Sequence, residues 1–314
     1  RVSASTSELW VDQVALTDCS FPNINPPLPK PPKLGSNAPA DTPVALHGQL
    51  RVEGTQLVDQ NGDPIVLKGV SSMWLEMENN GFAVSKTGLQ SLRDEAGLNV
   101  FRASMGVAKG TGYLADSTRY GDMVDQIIQN AIDLGIYVLV DFHGHTASDF
   151  LPESRAFFAH VAETFGDAPN VLYEPFNEPL QVSWTDVLKP YHTSVLATIR
   201  ARDPDNIVIF GTPNWSQYVD EAAQDPIGGT NVMYTLHFYT CSHKQWLRDR
   251  AEKAMGLGAP LFVTEFGLAT ADGISHPETC TADDEAWRTW IAEQKISAVA
   301  WKLDNTGDYT CLLS

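Results

Sequence analysis

Apolar residues along the chain gather into eight short runs. They are Pro64–Val70, Val100–Met105, Ile136–Phe142, Val171–Phe176, Asn206–Gly211, Val232–Tyr239, Pro260–Phe266 and Ile296–Leu303. Each is too short for a typical helix and is bounded by turn-forming residues, so each predicts a buried strand. Between them, apolar residues at helical spacing predict helices, among them Leu89–Ala96, Met123–Leu134, Glu153–Phe165, Trp184–Arg200, Lys244–Met255 and Asp284–Glu293. Strict alternation of strand and helix implies a parallel sheet with right-handed crossovers. Eight repeats predict an α/β fold closed as a (β/α)8 TIM barrel. An open doubly wound sheet is the alternative, weakened because no G-x-G-x-x-G follows the first strand. About eleven residues follow the last run, which leaves little room for a full eighth helix.

The first 45 residues break this rhythm. Leu9–Leu16 is a loose β-like run resembling the last strand of a small module, and Pro22–Val44 carries eight prolines without apolar periodicity. Such composition favours extended chain and builds no core. Residues 1–45 are therefore expected to form an N-terminal arm and Pro-rich linker, and residues 46–314 the barrel domain. Leu50–Val58 and Pro64–Gly69 flank Asp59-Gln60-Asn61-Gly62, and Asn-Gly between β-runs predicts a hairpin ahead of the barrel.

Charge and cysteine content narrow the classes. A net charge of −18 argues against nucleic acid and anionic membranes as partners. No run of about 18 apolar residues offers a membrane span. The chain opens Arg-Val-Ser-Ala-Ser and reads as mature or trimmed, any signal peptide having been removed. Cys19, Cys241, Cys280 and Cys311 lack C-x-x-C or zinc-ligand spacing, so disulfides in an exporting compartment are expected, either secreted or periplasmic. No metal and no cofactor is expected.

The chemistry lies where the strands end. Val171–Pro179 reads V-L-Y-E-P-F-N-E-P, an apolar run closed by Asn177, Glu178 and a proline that cannot continue a ladder. Leu261–Gly267, L-F-V-T-E-F-G, repeats the design with Glu265. Carboxyl ends of barrel strands are where active sites form, and two glutamates there suit a glycosidase's acid/base and nucleophile. The second strand adds Arg102, the third His143, the sixth His237 and Tyr239, and the eighth Trp301. His237 and Tyr239 are two apart and share a strand face.

These motifs resemble glycoside hydrolase family 5, the retaining β-glucanases and endoglucanases, over roughly Gln49–Leu303. N-E-P, T-E-F-G and H-F-Y stand in the same order as in that family. The resemblance implies that Glu178 is the acid/base and Glu265 the nucleophile. It implies Asn177 on the sugar 2-hydroxyl, Arg102 and Tyr239 as partners of the nucleophile, and His143 and His237 around the reacting sugar. Trp301 would floor that subsite, and Trp215, in P-N-W-S-Q, would serve the leaving-group side. A retaining pair predicts carboxyl groups about 5–5.5 Å apart. Glu174 reads as a supporting residue, His145 as a satisfied buried histidine, and Glu76 and Asp304 as sugar or solvent contacts.

Departures from the family bear on substrate. Met73 and Met77 follow the first strand where relatives often carry His and an aromatic, with Trp74 beside them to supply stacking. Gly106 stands where Tyr is common, and Lys302-Leu303-Asp304-Asn305 is unusual. Mixed-linkage β-1,3/1,4-glucan is therefore expected alongside β-1,4-glucan as substrate. Xyloglucan or mannan, a metal-dependent barrel hydrolase built on His143-Gly144-His145, and a non-catalytic sugar-binding protein are the alternatives. The arm, with Trp10 and Phe21 on a stiff tether, offers a cap for a cleft and a route to a homo-oligomer. Cys241 with Cys280 is the favoured disulfide, since strands six and seven are neighbours, which leaves Cys19 with Cys311.

Overall fold

The computed structural model describes residues 39–78, 81–277, 280–305 and 307–312. Trp10, Phe21, Cys19 and the arm's extended form lie outside these residues. Eight parallel strands close into a barrel: β3 (Lys68–Ser72), β4 (Val100–Gly106), β5 (Tyr137–His143), β6 (Val171–Glu174), β7 (Val208–Phe210), β8 (Val232–Tyr239), β9 (Leu261–Gly267) and β10 (Ala298–Leu303). β10 pairs with β3 to complete the ring. The TIM barrel expected from the alternation is therefore the fold.

Local chemistry sets the helix limits. Lys86–Ala96 begins at Ser85, whose hydroxyl accepts the Gly88 amide, and ends at left-handed Gly97. Ser117–Leu134 begins at Asp116 and ends at left-handed Gly135. Its buried stripe of Val124, Ile127, Ile128, Ala131 and Leu134 has helical spacing. The first two turns, Ser117–Asp122, are polar or exposed, which is why periodicity placed the start at Met123.

The lower barrel interior is apolar. Val100, Leu139, Leu172, Ile209, Met233, Phe262 and Val299 point inward, and Val44, Leu50, Leu57, Ile65 and Leu67 plug them from below. A short helix, Pro43–His47, contributes Val44 to this plug and spans the expected domain boundary. The hairpin exists, but its turn lies at Gly54-Thr55, within the run expected to be its first strand, rather than at Asp59–Gly62. β1 (Arg51–Glu53) pairs with β2 (Gln56–Val58). The Asn61-Gly62 turn joins only an isolated Val58–Pro64 bridge, because the Asp59 carboxylate captures the Asn61 and Asp63 amides.

Two features bear on the upper half. β9 carries one extra residue: Thr235 pairs with Phe262, whereas His237 pairs with Glu265. Its pairing with β10 slips by the same step, from Val263 to Phe266 opposite Ala298 and Ala300. Such a bulge re-aims side chains, so consecutive Thr264 and Glu265 both reach interior partners. Beyond β10 the chain folds back, with the Lys302 amide donating to Thr310 and the Leu312 amide to Lys302. Among the described residues no helix follows β10. Cys241 and Cys280 form a disulfide, as expected; the Cys19–Cys311 pairing falls outside the described residues. None of the described helices is long and apolar enough to cross a membrane.

Candidate active site

Two-residue periodicity carries the inward-facing apolar rows of the barrel upward into polar groups. β4 goes from Val100 to Arg102, and β5 from Leu139 to Asp141 and His143. β6 goes from Leu172 to Glu174, and β8 from Met233 to His237 and Tyr239. At the centre stands Arg102, fully buried. Its Nε donates to Glu174 (2.8 Å), Nη1 to Glu265 (3.1 Å) and Nη2 to the side-chain Oδ1 of Asn177 (2.7 Å). Nη2 also pairs with Asp141 at 2.9 Å.

One guanidinium thus faces three carboxylates, with Glu178 a fourth nearby. In a water-poor interior that excess of negative charge favours bound protons. Burial pushes Asp141 and Glu174 up to about 8 each, with Arg102 opposing. Glu178 is held well above the carboxylate range, first by burial and then by the charge on Glu265. His143 and His237 are driven well below the usual imidazole value by burial and by Arg102, so both are neutral.

The two glutamates have different company. Glu265 accepts the Tyr239 hydroxyl (2.6 Å) and the Arg102 guanidinium. Glu178 meets His237 Nδ1 at 2.9 Å and His145 Nδ1 at 3.9 Å. Carboxylate oxygens of Glu178 and Glu265 and a ring nitrogen of His237 lie within 4.8 Å of one another. Asn177, locked by Arg102 on its oxygen, places its amide nitrogen 3.3 Å from His143 Nε2. Asp141 holds the other nitrogen of His143 at 2.6 Å.

Aromatic groups form the wall. Trp301 stacks on His143, centroids 5.2 Å apart and planes 8° from parallel. Trp74 meets the same imidazole edge-on at 5.0 Å. Trp215 stands apart, in a left-handed turn: Asn214, Trp215 and Ser216 have φ of 58°, 57° and 56°. Three non-glycine residues there are strained. Hydrogen bonds to the Asn-Glu-Pro segment compensate: Trp215 N to Pro179 O (2.7 Å), Asn214 N to Leu180 O (3.1 Å) and Ser216 Oγ to Asn177 O (2.7 Å). The turn therefore fixes a 36 % exposed indole on a backbone bonded to Pro179, the residue that follows Glu178.

Some expectations need correcting. His145 is not a buried structural histidine: its side chain is 38 % exposed and faces Glu178, with Trp74 alongside. Glu76 touches neither cleft nor solvent with its carboxyl oxygens. They are buried over Gly106, where a Cβ would meet them at 1.9 Å, so Glu76 fills the room a side chain at 106 would take. Asp304 is buried, with Lys302 Nζ at 3.7 Å. Among the described residues, the side chains close enough to share an ion are Glu178, His237 and Glu265, a set that leaves out the His143–His145 pair. Asp141, Thr235 and Thr264 belong to the network and were not singled out. Asp141-x-His143 follows the two-residue period that marks His237 and Tyr239; Thr264 is visible only through the β9 bulge.

The family model for cellulase, glycosyl hydrolase family 5, matches residues 58–307. Endoglucanase Z of Dickeya dadantii is 40 % identical over 247 residues, 76 % of this chain and 56 % of the relative. An endoglucanase of Clostridium saccharobutylicum is 39 % identical over 270 residues, covering 85 % and 59 %. The chain thus spans a little over half the length of these curated relatives. Among solved structures, the catalytic domain of Thermobifida fusca endoglucanase Cel5A, determined in complex with cellotetraose, superposes with a TM-score of 0.80. It is 31 % identical, covering 86 % of this chain and 90 % of that one.

Proposed function

The chain belongs to the cellulases of glycosyl hydrolase family 5, and from that premise we propose that it cuts β-1,4 or mixed-linkage β-1,3/1,4-glucan internally and with retention. Glu265 is the nucleophile and Glu178 the acid/base. The observation that carries this reading is the approach of one oxygen of Glu178 to one oxygen of Glu265 within 4.8 Å, across the mouth of the barrel. An inverting pair stands wider, at about 6.5–9.5 Å, to admit a water between carboxylate and sugar.

The partners divide the roles. Arg102 and Tyr239 stabilise a carboxylate at Glu265, whereas among the described residues Glu178 meets only the neutral imidazoles of His237 and His145 and keeps a proton. Glu265 attacks the anomeric carbon as Glu178 gives its proton to the leaving oxygen. Glu178, now a carboxylate, takes a proton from water, whose oxygen then displaces Glu265. The Asn177 amide is oriented toward the 2-hydroxyl, Trp301 offers an apolar face to the reacting sugar, and Trp215 serves the leaving-group side.

The relatives' names, and the cellotetraose in one neighbour, support a glucan. Exposed Met77 and the Glu76–Gly106 contact give the far wall a different surface from the His and aromatics expected there, which supports mixed-linkage glucan as a substrate. The Cys241–Cys280 disulfide supports a secreted or periplasmic location. Initial rates on mixed-linkage β-glucan and soluble cellulose, with Glu265→Gln beside the parent, test the reading. Activity on either that vanishes in the variant is expected; full activity in the variant overturns the assignment.

A further inference from the structure

Glu178 ends a chain of hydrogen bonds that runs down through the barrel. His237 Nδ1 lies 2.9 Å from Glu178 Oε1, and its Nε2 lies 2.8 Å from Thr264 Oγ1. Thr264 Oγ1 is 2.6 Å from Glu174 Oε1, which also accepts Thr235 Oγ1 at 3.2 Å. The far oxygen of Glu174 accepts Arg102 Nε. All these groups except Glu178 are buried.

A hydroxyl has one proton to give. Burial raises Glu174, but Arg102 Nε donates to one of its oxygens and Thr264 and Thr235 to the other, so three converging donors make Glu174 the carboxylate of the pair and it accepts the Thr264 hydrogen. The oxygen of Thr264 is then an acceptor, and His237 must carry its proton on Nε2. Nδ1 is left as a bare lone pair facing Glu178, and a hydrogen bond there requires the proton on Glu178. The mirror arrangement puts the proton on Glu174 and gives Nδ1 an N–H aimed at a Glu178 carboxylate. It places the negative charge beside Glu265 and strips it from Arg102, so it is the worse of the two.

We propose that Thr264 and Glu174 are positioning residues that fix the Nε2-protonated tautomer of His237 and thereby keep Glu178 in its acid form. This rests on the assignment of Glu178 as acid/base. It also bears on the second half-reaction. Once Glu178 has given its proton to the leaving group, its carboxylate faces the same lone pair, with no N–H to stabilise it. The bare carboxylate is the stronger base toward water, and that water's proton restores the starting arrangement.

The tautomer is read directly by nitrogen-15 NMR of histidine-labelled parent enzyme, with His237 assigned by His237→Gln. The expected spectrum has Nε2 protonated and Nδ1 bare from pH 5.5 to 7.5. A proton on Nδ1 in the folded parent overturns the proposal, whether or not the protein hydrolyses glucan. In catalysis, Thr264→Val frees the ring to donate from Nδ1, which favours ionised Glu178. The basic limb of the kcat/KM profile is expected to fall by about one pH unit, and Thr264→Ser to return it to the parent position. A folded Thr264→Val enzyme with a uniform loss at every pH and an unmoved basic limb overturns the proposal and leaves Thr264 a packing residue. If that variant does not fold, the parent spectrum alone decides.

Discussion

Replacing Glu265 with glutamine removes one negative charge from beside Glu178 while keeping the shape of the side chain. Glu178 is held well above the carboxylate range by burial first and by Glu265 second. The substitution should therefore lower its titration midpoint without returning it to the ordinary value. The size follows from distance. One oxygen of each carboxylate lies within 4.8 Å of the other, and at an effective dielectric constant of about 20 two unit charges at that separation repel by about 3.5 kcal/mol. Arg102, relieved of one carboxylate, acts in the same direction. Carbon-13 NMR of glutamate-labelled protein reads the midpoint without requiring activity, and Glu178→Gln assigns the resonance. A fall of at least one pH unit is expected. A shift below about half a unit, or an upward one, would refute the view that the two carboxylates are electrostatically coupled.

Other consequences follow from the same contacts. Arg102→Met leaves Asp141, Glu174 and Glu265 without their shared cation; breaking a buried pair costs about 3–5 kcal/mol. Calorimetry should show Tm lower by roughly 6–20 °C, and a change within 2 °C contradicts the account. Trp215→Ala removes an exposed indole from the proposed leaving-group side; a stacking contribution of about 0.5–1.5 kcal/mol should raise KM roughly 2- to 10-fold on soluble cellulose. A drop in kcat at unchanged KM would place Trp215 elsewhere. Glu78 is pushed up to about 7 by burial. A carboxyl raised on folding costs stability as pH rises through its unfolded value, and the cost is complete above its folded value. Glu78→Gln should therefore raise Tm more at pH 8 than at pH 5, and an equal effect at both contradicts the assignment.

The barrel was legible because most of its strands are buried on both faces and read as nearly continuous apolar runs, with helices between. The polar residues closing those runs, Arg102, His143, Glu178, His237, Tyr239 and Glu265, are the ones brought together. What stayed hidden has local causes. The Asn61-Gly62 signal was outcompeted by the Asp59 side chain binding its own backbone. Thr264 neighbours Glu265, so alternation assigns it to the opposite face, and only the extra residue in β9 turns it inward. Glu76 read as a sugar or solvent contact because nothing in a sequence shows that Gly106 leaves it room. His145 read as structural, yet the loop after β5 carries it back toward Glu178. Asp141 was passed over although it shares the inward face with His143.

The most direct test of the central claim is to trap the intermediate. The enzyme is incubated with an activated 2-deoxy-2-fluoro-β-cellobioside, digested, and the labelled peptide sequenced by mass spectrometry. The account expects one sugar bound through an ester to Glu265, with turnover restored when an acceptor sugar is added. A label on Glu178, or hydrolysis of the unfluorinated substrate with inverted anomeric configuration, would contradict it.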